Sequence, residues 1–379
     1  MWISLALASA LMQQPSTGTP SLSAKVVDAI DHNYLFADTD SWKRVRADLL
    51  SNTDKTISSM DQQLAKLRDG DLRIFTSEQL AALQAETAGK EQGIGLVDFS
   101  VVVEPTTGDV KVITPLVTSP AFKAGLQPGD VIVSVNGQMT RGLVHEDVMA
   151  MLRGNSGKID LTIRRDNRRV QMQVPKKAWV EQAVESRSFV AGKQQLGYIS
   201  VRLFTPDSGE QVRQAVDSLT THGIGKCIID LRNNPGGYLD AMAVVGSAFT
   251  DQTLGWKVRR DGTREPIHAM SKPFKSMQLV VLVNEGTASA AEVLAAGLRD
   301  TTGARLVGAR TYGRGQIQTY VSLNESVGIV IPAASAESMK GIRFNKRSGL
   351  SPDVVVSSTT ETHSLDVAYQ RAVELLTHG

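Results

Sequence analysis

The sequence predicts a multidomain protein of mixed α/β and α+β class, and three changes of pattern along its 379 residues carry that prediction. Apolar residues first recur three and four positions apart, as on one face of a helix. β-Branched residues and glycine turns follow, and then continuous apolar runs alternate with helical segments. We therefore expect a helical domain over residues 22–88, a β-rich domain over 89–178, and an α/β core over 179–379 that ends in a helix.

The first residues, Met1 to Met12, form a short apolar stretch with Ala8-Ser9-Ala10 as a small-residue cleavage site. That pattern is typical of a secretory signal segment, although a basic leading region is missing; the alternative is a frayed or mis-started N-terminus. The stretch is too short to span a bilayer. With the polar linker that follows, residues 1–21 predict export, to a bacterial periplasm or a lumen.

The β-rich region has a β-β-α-β-α-β-β order. Asn136-Gly137 is a strong hairpin signal, and Asp166-Asn167 joins the last two strands. The main basic cluster of the chain, Arg164, Arg165, Arg168 and Arg169, flanks that second turn. We favour a solvated hairpin turn for it. The other interpretation is a patch that contacts peptide or lipid, which would give a peripheral membrane association.

The last region alternates strands with helices, which predicts crossover connections and a largely parallel sheet. The expected strands are 196–201, 226–231, 279–283 and 305–307, separated by helices over 208–219, 239–249 and 290–298, with a final helix over 365–376.

The composition argues against several functions. A formal net charge of +2 lacks the strong basic excess of a nucleic-acid-binding protein. The single cysteine, Cys227, excludes an internal disulfide and lies in an apolar run, as a small buried hydrophobe would. No His/Cys/Asp cluster has metal-ligand spacing and no phosphate-binding loop is present, so neither a metal nor a cofactor is predicted.

The first candidate for chemistry is the segment Gly286 to Glu292, which lies between a buried strand and a helix. A nucleophile at Ser289 would be exposed at the carboxyl edge of the sheet, where the N–H groups of the first helical turn face a developing oxyanion. The alternative is that Ser289 or Thr287 merely caps the helix.

Two further segments leave buried strands in the same way. Asp230 to Gly237 ends in a diglycine whose backbone can approach a ligand closely. Thr311 to Gln318 places one long basic side chain between Gly313 and Gly315. Taken singly, each is better explained as a structural turn.

Together and in this order, the three segments resemble the carboxyl-terminal processing, or tail-specific, peptidases. The match extends to Ser119-Pro120-Ala121, to the segment Ala124–Asp130 and to Gly349-Leu350-Ser351-Pro352-Asp353. The resemblance implies a PDZ domain over 89–178 and a ClpP/crotonase-like core. It also implies Ser289 as nucleophile, Gln318 as the residue that supports the base, and the N–H groups of Ala290 and of Gly236 or Gly237 as the oxyanion hole.

The chain departs from the family at the base, where Arg314 replaces the lysine. Arginine stays protonated and has no acceptor site, so it cannot take the proton of Ser289. Three interpretations stay open: an inactive relative that still binds peptide termini, another base such as Lys340 or Lys346, or a substitution tolerated with reduced activity. A Ser–His pair would need a distant residue such as His268.

The resemblance also implies how substrate arrives. The loop Gly93-Ile94-Gly95-Leu96 would offer N–H groups to a terminal carboxylate, and Ile94 and Leu96 would shape a pocket for the last side chain. The expected partners are proteins with apolar carboxyl termini, and the sequence carries no sign of an oligomeric state. The expected function is a serine endopeptidase recruited by its PDZ domain; the alternative is a catalytically silent peptide-binding relative.

Overall fold

The computed structural model describes residues 20–51, 56–67, 72–87, 90–97, 100–104, 106–153, 157–180, 182–269, 276–345, 349–356 and 366–378. The predicted signal segment and Lys346 lie outside these ranges. Across the described ranges, each helix is too short or too polar to cross a bilayer.

The first unit is helical apart from one strand. Its elements are α1 (Leu22–Asn33), α2 (Asp40–Ser51), α3 (Ile57–Leu64), β1 (Arg73–Thr76) and α4 (Ser77–Thr87). An all-helical domain was expected here, and β1 corrects it: Arg73 pairs with Val330 of the core. The apolar faces of the helices bury Trp42 and Leu49 in a cluster that includes Ile329 of the core. The helical unit is therefore built onto the core.

The second unit is a small antiparallel sheet with two short helices, and we call it the PDZ unit. Its elements are β2 (Lys90–Gly93), β3 (Val101–Val103), β4 (Val110–Val112), α5 (Pro120–Lys123), β5 (Val131–Val135), β6 (Gln138–Met139), α6 (His145–Leu152), β7 (Lys158–Arg165), β8 (Arg168–Pro175) and β9 (Lys177–Val180). The strand order is β3-β4-β5-β7-β8, with β6 paired to β5. Strands β2 and β9 form a separate two-stranded sheet.

The arginine cluster is a hairpin, as favoured from the sequence. Asp166 and Asn167 both have positive φ, at 47° and 61°, which is the geometry of the tight turn that joins twisted strands. Arg164 and Arg165 turn back onto the unit and pair with Asp109 and Asp130, each at 2.6 Å.

The third unit contains two sheets. Its elements are β10 (Val184–Ala191), β11 (Gln194–Val201), α7 (Ser208–Thr221), β12 (Lys226–Asp230), α8 (Leu239–Gly246), β13 (Thr253–Arg259), β14 (Arg264–His268), β15 (Gln278–Val283), α9 (Ala290–Thr302), β16 (Arg305–Gly308), β17 (Gln316–Ser322), β18 (Val327–Glu337), β19 (Val354–Val355) and α10 (Val367–His378). The first sheet has the order β10-β11-β12-β15-β16-β19, with β10 antiparallel and the rest parallel. The predicted parallel sheet is thus confirmed.

A second, antiparallel sheet was not expected. Its strands run β1-β18-β13-β14, with β17 also paired to β18. Because β12, β15 and β16 are parallel neighbours, their carboxyl ends meet at one edge of the first sheet. All three candidate segments of the sequence follow those ends.

The PDZ unit packs directly on the core. Val102 and Ile113 form a small buried cluster with Ala288, beside Tyr312. Val97 and Leu116 pack with residues of both other units. This contact places the PDZ sheet over the edge where the candidate segments meet.

Candidate active site

The three segments at the sheet edge are joined by hydrogen bonds. Ala288 N–H donates to the carbonyl of Asn234 at 2.9 Å, and Tyr312 N–H donates to the carbonyl of Thr287 at 3.0 Å. The Thr287 hydroxyl donates to the carbonyl of Leu231 at 2.8 Å. Thr287 therefore ties its own turn to both of the others.

Ser289 has a strained backbone, with φ 57° and ψ −122°. Positive φ is uncommon in residues other than glycine, whereas a residue that only caps a helix usually adopts the β region. Strain of this kind gathers at functional sites, and a sharp strand-to-helix turn is how α/β hydrolases present a nucleophilic serine. The conformation is therefore one that a simple helix cap does not require.

Gly236 lies against Ser289. A β-carbon at Gly236 would come within 2.8 Å of the serine Cβ and 3.2 Å of its Oγ, so only glycine fits here. The predicted closeness of the diglycine turn to the serine is present in the structure.

The serine is less accessible than expected. We predicted a hydroxyl exposed at the sheet edge, but Ser289 is only 2% exposed. The physical reason is that Gly236 covers it on one side, while Val102 and Ile113 of the PDZ unit bury its neighbour Ala288.

The two glycines differ in what their N–H groups do. Gly236 N–H donates to the side-chain oxygen of Asn234 at 2.8 Å, and the Asn234 amide in turn donates to the carbonyl of Val201 at 2.8 Å. For Gly237 N–H and Ala290 N–H no acceptor is found among the described residues. Of the three predicted oxyanion donors, Gly237 and Ala290 are therefore the two with N–H groups available to a ligand.

Glu292 organises the site, and its role was missed from the sequence. It is fully buried, and its carboxylate accepts N–H bonds from Ser289 at 3.0 Å and from Gly313 and Arg314, both at 2.8 Å, and a bond from the Thr311 hydroxyl. Burial raises the pKa of this carboxyl, and the four hydrogen bonds oppose that effect. The spacing Ser289-x-x-Glu292 at a helix start is a capping-box pattern, the signal that could have revealed it.

Arg314, which stands where the family has its lysine base, is half-buried and lines a cavity of about 520 Å³. Gln318, the predicted supporting residue, is 2% exposed, and neither of its amide atoms has a hydrogen-bond partner among the described residues. Arg314 N–H and the segment before it are anchored through Glu292. The roles of Arg314 at the base position and of Gln318 as its support stay predictions, because the location of the two side chains does not assign a function to either.

Two residues, Lys340 and His268, were considered from the sequence as alternative general bases. Lys340 is wrong: its side chain is 66% exposed and its ammonium pairs with Asp300 at 3.1 Å, near the opposite end of α9 from Ser289. His268 is exposed on β14, where its ring meets the Thr253 hydroxyl at 2.9 Å. Lys340 is therefore held away from the serine, and the His268 ring is already engaged on β14.

The PDZ loop begins with glycines in the left-handed region, Gly93 at φ 139° and Gly95 at φ 85°. Ile94 and Leu96 are buried in the PDZ core with Val148 of α6. The first strand after the loop, β3, lies at the edge of its sheet. Within the described ranges, no group of three or more His, Cys, Asp or Glu is arranged to hold a metal ion.

A strained serine that caps a helix at this edge, beside two N–H groups that find no acceptor among the described residues, is the arrangement expected of a serine-type peptidase core, here joined to a PDZ unit. Residues 195–356 match Peptidase family S41, and residues 86–164 match the PDZ domain. The chain belongs to Peptidase family S41, among the carboxyl-terminal-processing proteases, and it is a serine-type endopeptidase of that family.

Relatives at sequence level support this placement. The carboxyl-terminal-processing protease of Synechocystis sp. is 35% identical over 344 residues, which cover 87% of this chain and 79% of that protein. The chloroplastic C-terminal processing peptidase of Tetradesmus obliquus is 32% identical, covering 92% of this chain and 79% of its own. A solved structure of a photosystem II D1 C-terminal processing protease has a TM-score of 0.80 at 29% identity, covering 94% and 96% of the two chains.

Proposed function

We propose that this chain cleaves protein substrates near their carboxyl terminus with Ser289 as the nucleophile. The observation that carries the proposal is the backbone of Ser289, whose φ of 57° and ψ of −122° a helix cap does not need. The alternative, a catalytically silent peptide-binding relative, is not favoured, because the relatives matched over most of the chain are named as proteases.

In this mechanism the Ser289 oxygen attacks the carbonyl carbon of the scissile peptide bond. The N–H groups of Gly237 and Ala290 receive the oxyanion, because neither donates to an acceptor in the part of the chain that the structure describes. The amine leaves with a proton taken from water, and a second water then hydrolyses the acyl-enzyme to release Ser289 and a new carboxylate. Gly236 supports the turn, since its own N–H is held by Asn234.

Arg314 changes the proton step. A Ser–Lys pair works through a neutral amine with a free lone pair, and a guanidinium has none. We propose that hydroxide accepts the serine proton in this chain and becomes water, which predicts slow turnover that rises with pH. General base catalysis typically contributes roughly 10²–10⁴-fold, so the loss is large but not total.

The PDZ unit would deliver substrate. Because β3 is an edge strand, an extended peptide can add to it, with its terminal carboxylate at the loop of residues 93–96. The substrates we propose are proteins with apolar carboxyl termini. The apolar segment Met1 to Met12 supports export to a periplasm or lumen, and the surface arginines of the PDZ hairpin support a peripheral association with membranes.

The test is a cleavage assay on a protein with an apolar carboxyl-terminal tail, followed by mass spectrometry of the fragments. The parent should release a carboxyl-terminal fragment slowly, and Ser289→Ala should release none. Cleavage that survives in Ser289→Ala would remove Ser289 from the mechanism.

A further inference from the structure

Strand β10 leaves one edge of the largely parallel sheet open. It is the first strand in the order β10-β11-β12-β15-β16-β19, and its register with β11 runs unbroken from Val184 opposite Val201 to Ala191 opposite Gln194. Within the described ranges, no group outside β11 bonds to the backbone of β10. The N–H and C=O groups on the outer side of the strand are therefore available, and such an edge is a template for a further strand.

The usual protections of an edge strand are missing from β10. Proteins guard an edge with lysine, proline, a bulge or a very short strand. The strand has eight residues, Val-Glu-Ser-Arg-Ser-Phe-Val-Ala, with neither lysine nor proline, and it pairs with β11 without a bulge. Its residues 186–188 are exposed. The edge is thus long enough and open enough to accept another strand.

Helices on both faces hold β10 in place. On one face, Val184 belongs to the same buried cluster as Val212 of α7. On the other face, the ring of Phe189 lies 5.6 Å from the ring of Tyr369 in α10. A strand that is already fixed in this way loses little conformational entropy when a second strand pairs with it, and this favours association.

The charges of β10 complement each other when two copies of the strand run antiparallel. Glu185 and Arg187 are two residues apart, so they lie on one face of the strand, and their side chains are 39% and 50% exposed. If a two-fold axis passes through Ser186, Glu185 of each copy lies opposite Arg187 of the other. Opposite charges that face each other across two strands stabilise the pairing.

The neighbouring registers are unfavourable. Only every second residue of β10 directs its N–H and C=O groups outward, so two antiparallel copies can pair only with the axis on a residue. An axis through Glu185 or through Arg187 places two like charges opposite each other, which destabilises the pair. The sequence therefore selects the axis at Ser186 over the registers on either side of it.

We propose that β10 is an interface between two copies of this chain, which pair antiparallel across an axis at Ser186 and join their sheets into one. The partner is a second copy because the charge order of the strand matches itself, so each contact is made twice. The paired length is short beside the roughly 20–30 residues per side of a standard interface, so the dimer is weak and depends on concentration. The inference goes beyond the proposed function, since β10 contributes no residue of the candidate active site.

Sedimentation velocity over about 1–300 μM, a range suited to a weak interface, tests whether the full chain dimerises. Glu185→Arg and Arg187→Glu each put like charges opposite each other, so each variant should bind itself at least about tenfold more weakly than the parent. An equimolar mixture of the two variants restores both charge pairs and should associate within about threefold of the parent. Glu185→Arg also loses the contact of Glu185 with Arg202 at 2.5 Å, and recovery in the mixture shows that this contact is not the cause.

A second experiment leaves the charges unchanged. Ser186→Cys places the thiols of the two copies opposite each other at the axis, whereas Ser326→Cys, the matched control, is exposed between β17 and β18. The single native cysteine, Cys227, is buried and does not compete. A short bismaleimide should link Ser186→Cys chains to each other at least about tenfold faster than Ser326→Cys chains.

A parent that stays monomeric through the whole concentration series would overturn the proposal. So would single variants that dimerise as tightly as the parent, a mixture of folded variants that associates no better than either alone, or equal crosslinking rates at positions 186 and 326. Neither experiment measures cleavage, so the result stands whether or not the proposed function does, and a monomeric chain would leave the proposed function untouched.

Discussion

The backbone N–H groups of Ser289 and Arg314 donate to the same atom, Oε2 of Glu292, at 3.0 and 2.8 Å. The residue at the nucleophile position and the residue at the base position are therefore held by one buried carboxylate. The loops that carry Ser289 and Arg314 keep their relative position through Glu292, which is 22 residues from Arg314 in the sequence.

Glu292→Gln should disturb both loops. An amide keeps one acceptor oxygen but turns the other end into a donor, which then opposes N–H groups already pointing at it. A buried donor left unsatisfied costs about 1–3 kcal/mol, so both the free energy of unfolding and kcat should fall. Urea unfolding and a cleavage assay check this against Glu325→Gln, an exposed control. An unchanged kcat would remove Glu292 from the positioning of the site.

Ser289→Gly should be more stable than Ser289→Ala, although both are inactive. A β-carbon at φ 57° causes strain of about 1–3 kcal/mol, and glycine adopts this φ without it. Glycine also adds entropy to the unfolded state, which costs about 0.5–1 kcal/mol. Because the strain relieved is larger than this cost, the glycine variant should be the more stable one. Denaturant midpoints of the two variants compare them directly. If Ser289→Gly is the less stable variant, the serine backbone is not strained.

Asp61 should make stability fall as pH rises. Burial raises the pKa of this carboxyl from 3.8 to about 6, against the Ile74 N–H bond and the nearby charge of Arg73, while Glu146 and Asp147 of the PDZ unit raise it further. The folded state therefore binds more protons than the unfolded state between pH 4 and 6. The contribution of Asp61 to the free energy of unfolding is greatest below that window and falls by about 3 kcal/mol across it.

Asp61→Asn should remove that loss, because the amide oxygen still accepts the Ile74 N–H bond, 3.0 Å long in the parent. Unfolding free energies at pH 4 and pH 7.5 measure the difference, with the exposed Asp217→Asn as the control. Equal pH dependence in Asp61→Asn and the parent would contradict the assignment.

Arg232 should be needed for the diglycine turn. Its guanidinium pairs with Asp230 at 2.6 Å and with Asp366 at 2.8 Å, and it is largely buried. Arg232→Met leaves the buried Asp230 without this cation, which typically costs about 3–5 kcal/mol. Arg371→Met breaks the exposed pair with Glu374 and should cost under about 1 kcal/mol. Thermal unfolding that ranks the two variants equally would show that the Arg232 network is not a stabilising anchor.

The sequence was most informative where structure is local. The parallel strands, their helices and the PDZ hairpins follow from short periodic patterns, and the three site segments follow from strand ends. The strand β1 was missed because Arg73 to Thr76 is too short to show a period, and its partner lies some 250 residues away in sequence. The second sheet was missed for the same reason, since its pairings are long-range.

The site was predicted in its parts but not in its connections. Ser289 and the diglycine turn could be picked out as strand-end motifs, whereas the burial of Ser289 involves Gly236 of a distant segment, a contact that no local pattern reveals. Lys340 shows that a residue close to the site in sequence need not be close to it in space. It follows the site segments in the chain, yet its ammonium pairs with Asp300. Gly236 and Gly237 differ because the Asn234 side chain accepts the N–H of Gly236. The sequence does not reveal which of the two N–H groups it accepts.

Arg314→Lys should raise turnover. A buried lysine can lose its proton and accept that of the serine, whereas the parent depends on hydroxide. We expect kcat to rise by about tenfold or more near pH 8, and the log-linear rise of the parent rate with pH to level off in the variant. A variant slower than the parent at every pH would show that Arg314 is itself adapted to the reaction.

The most direct test of Ser289 as nucleophile is the intact mass of the chain after brief reaction with a peptide ester, because an activated ester acylates serine without a strong base. We predict one acyl group per chain, located by fragmentation on Ser289 and absent from Ser289→Ala. An adduct of equal yield in Ser289→Ala, or one located on another residue, would contradict the assignment.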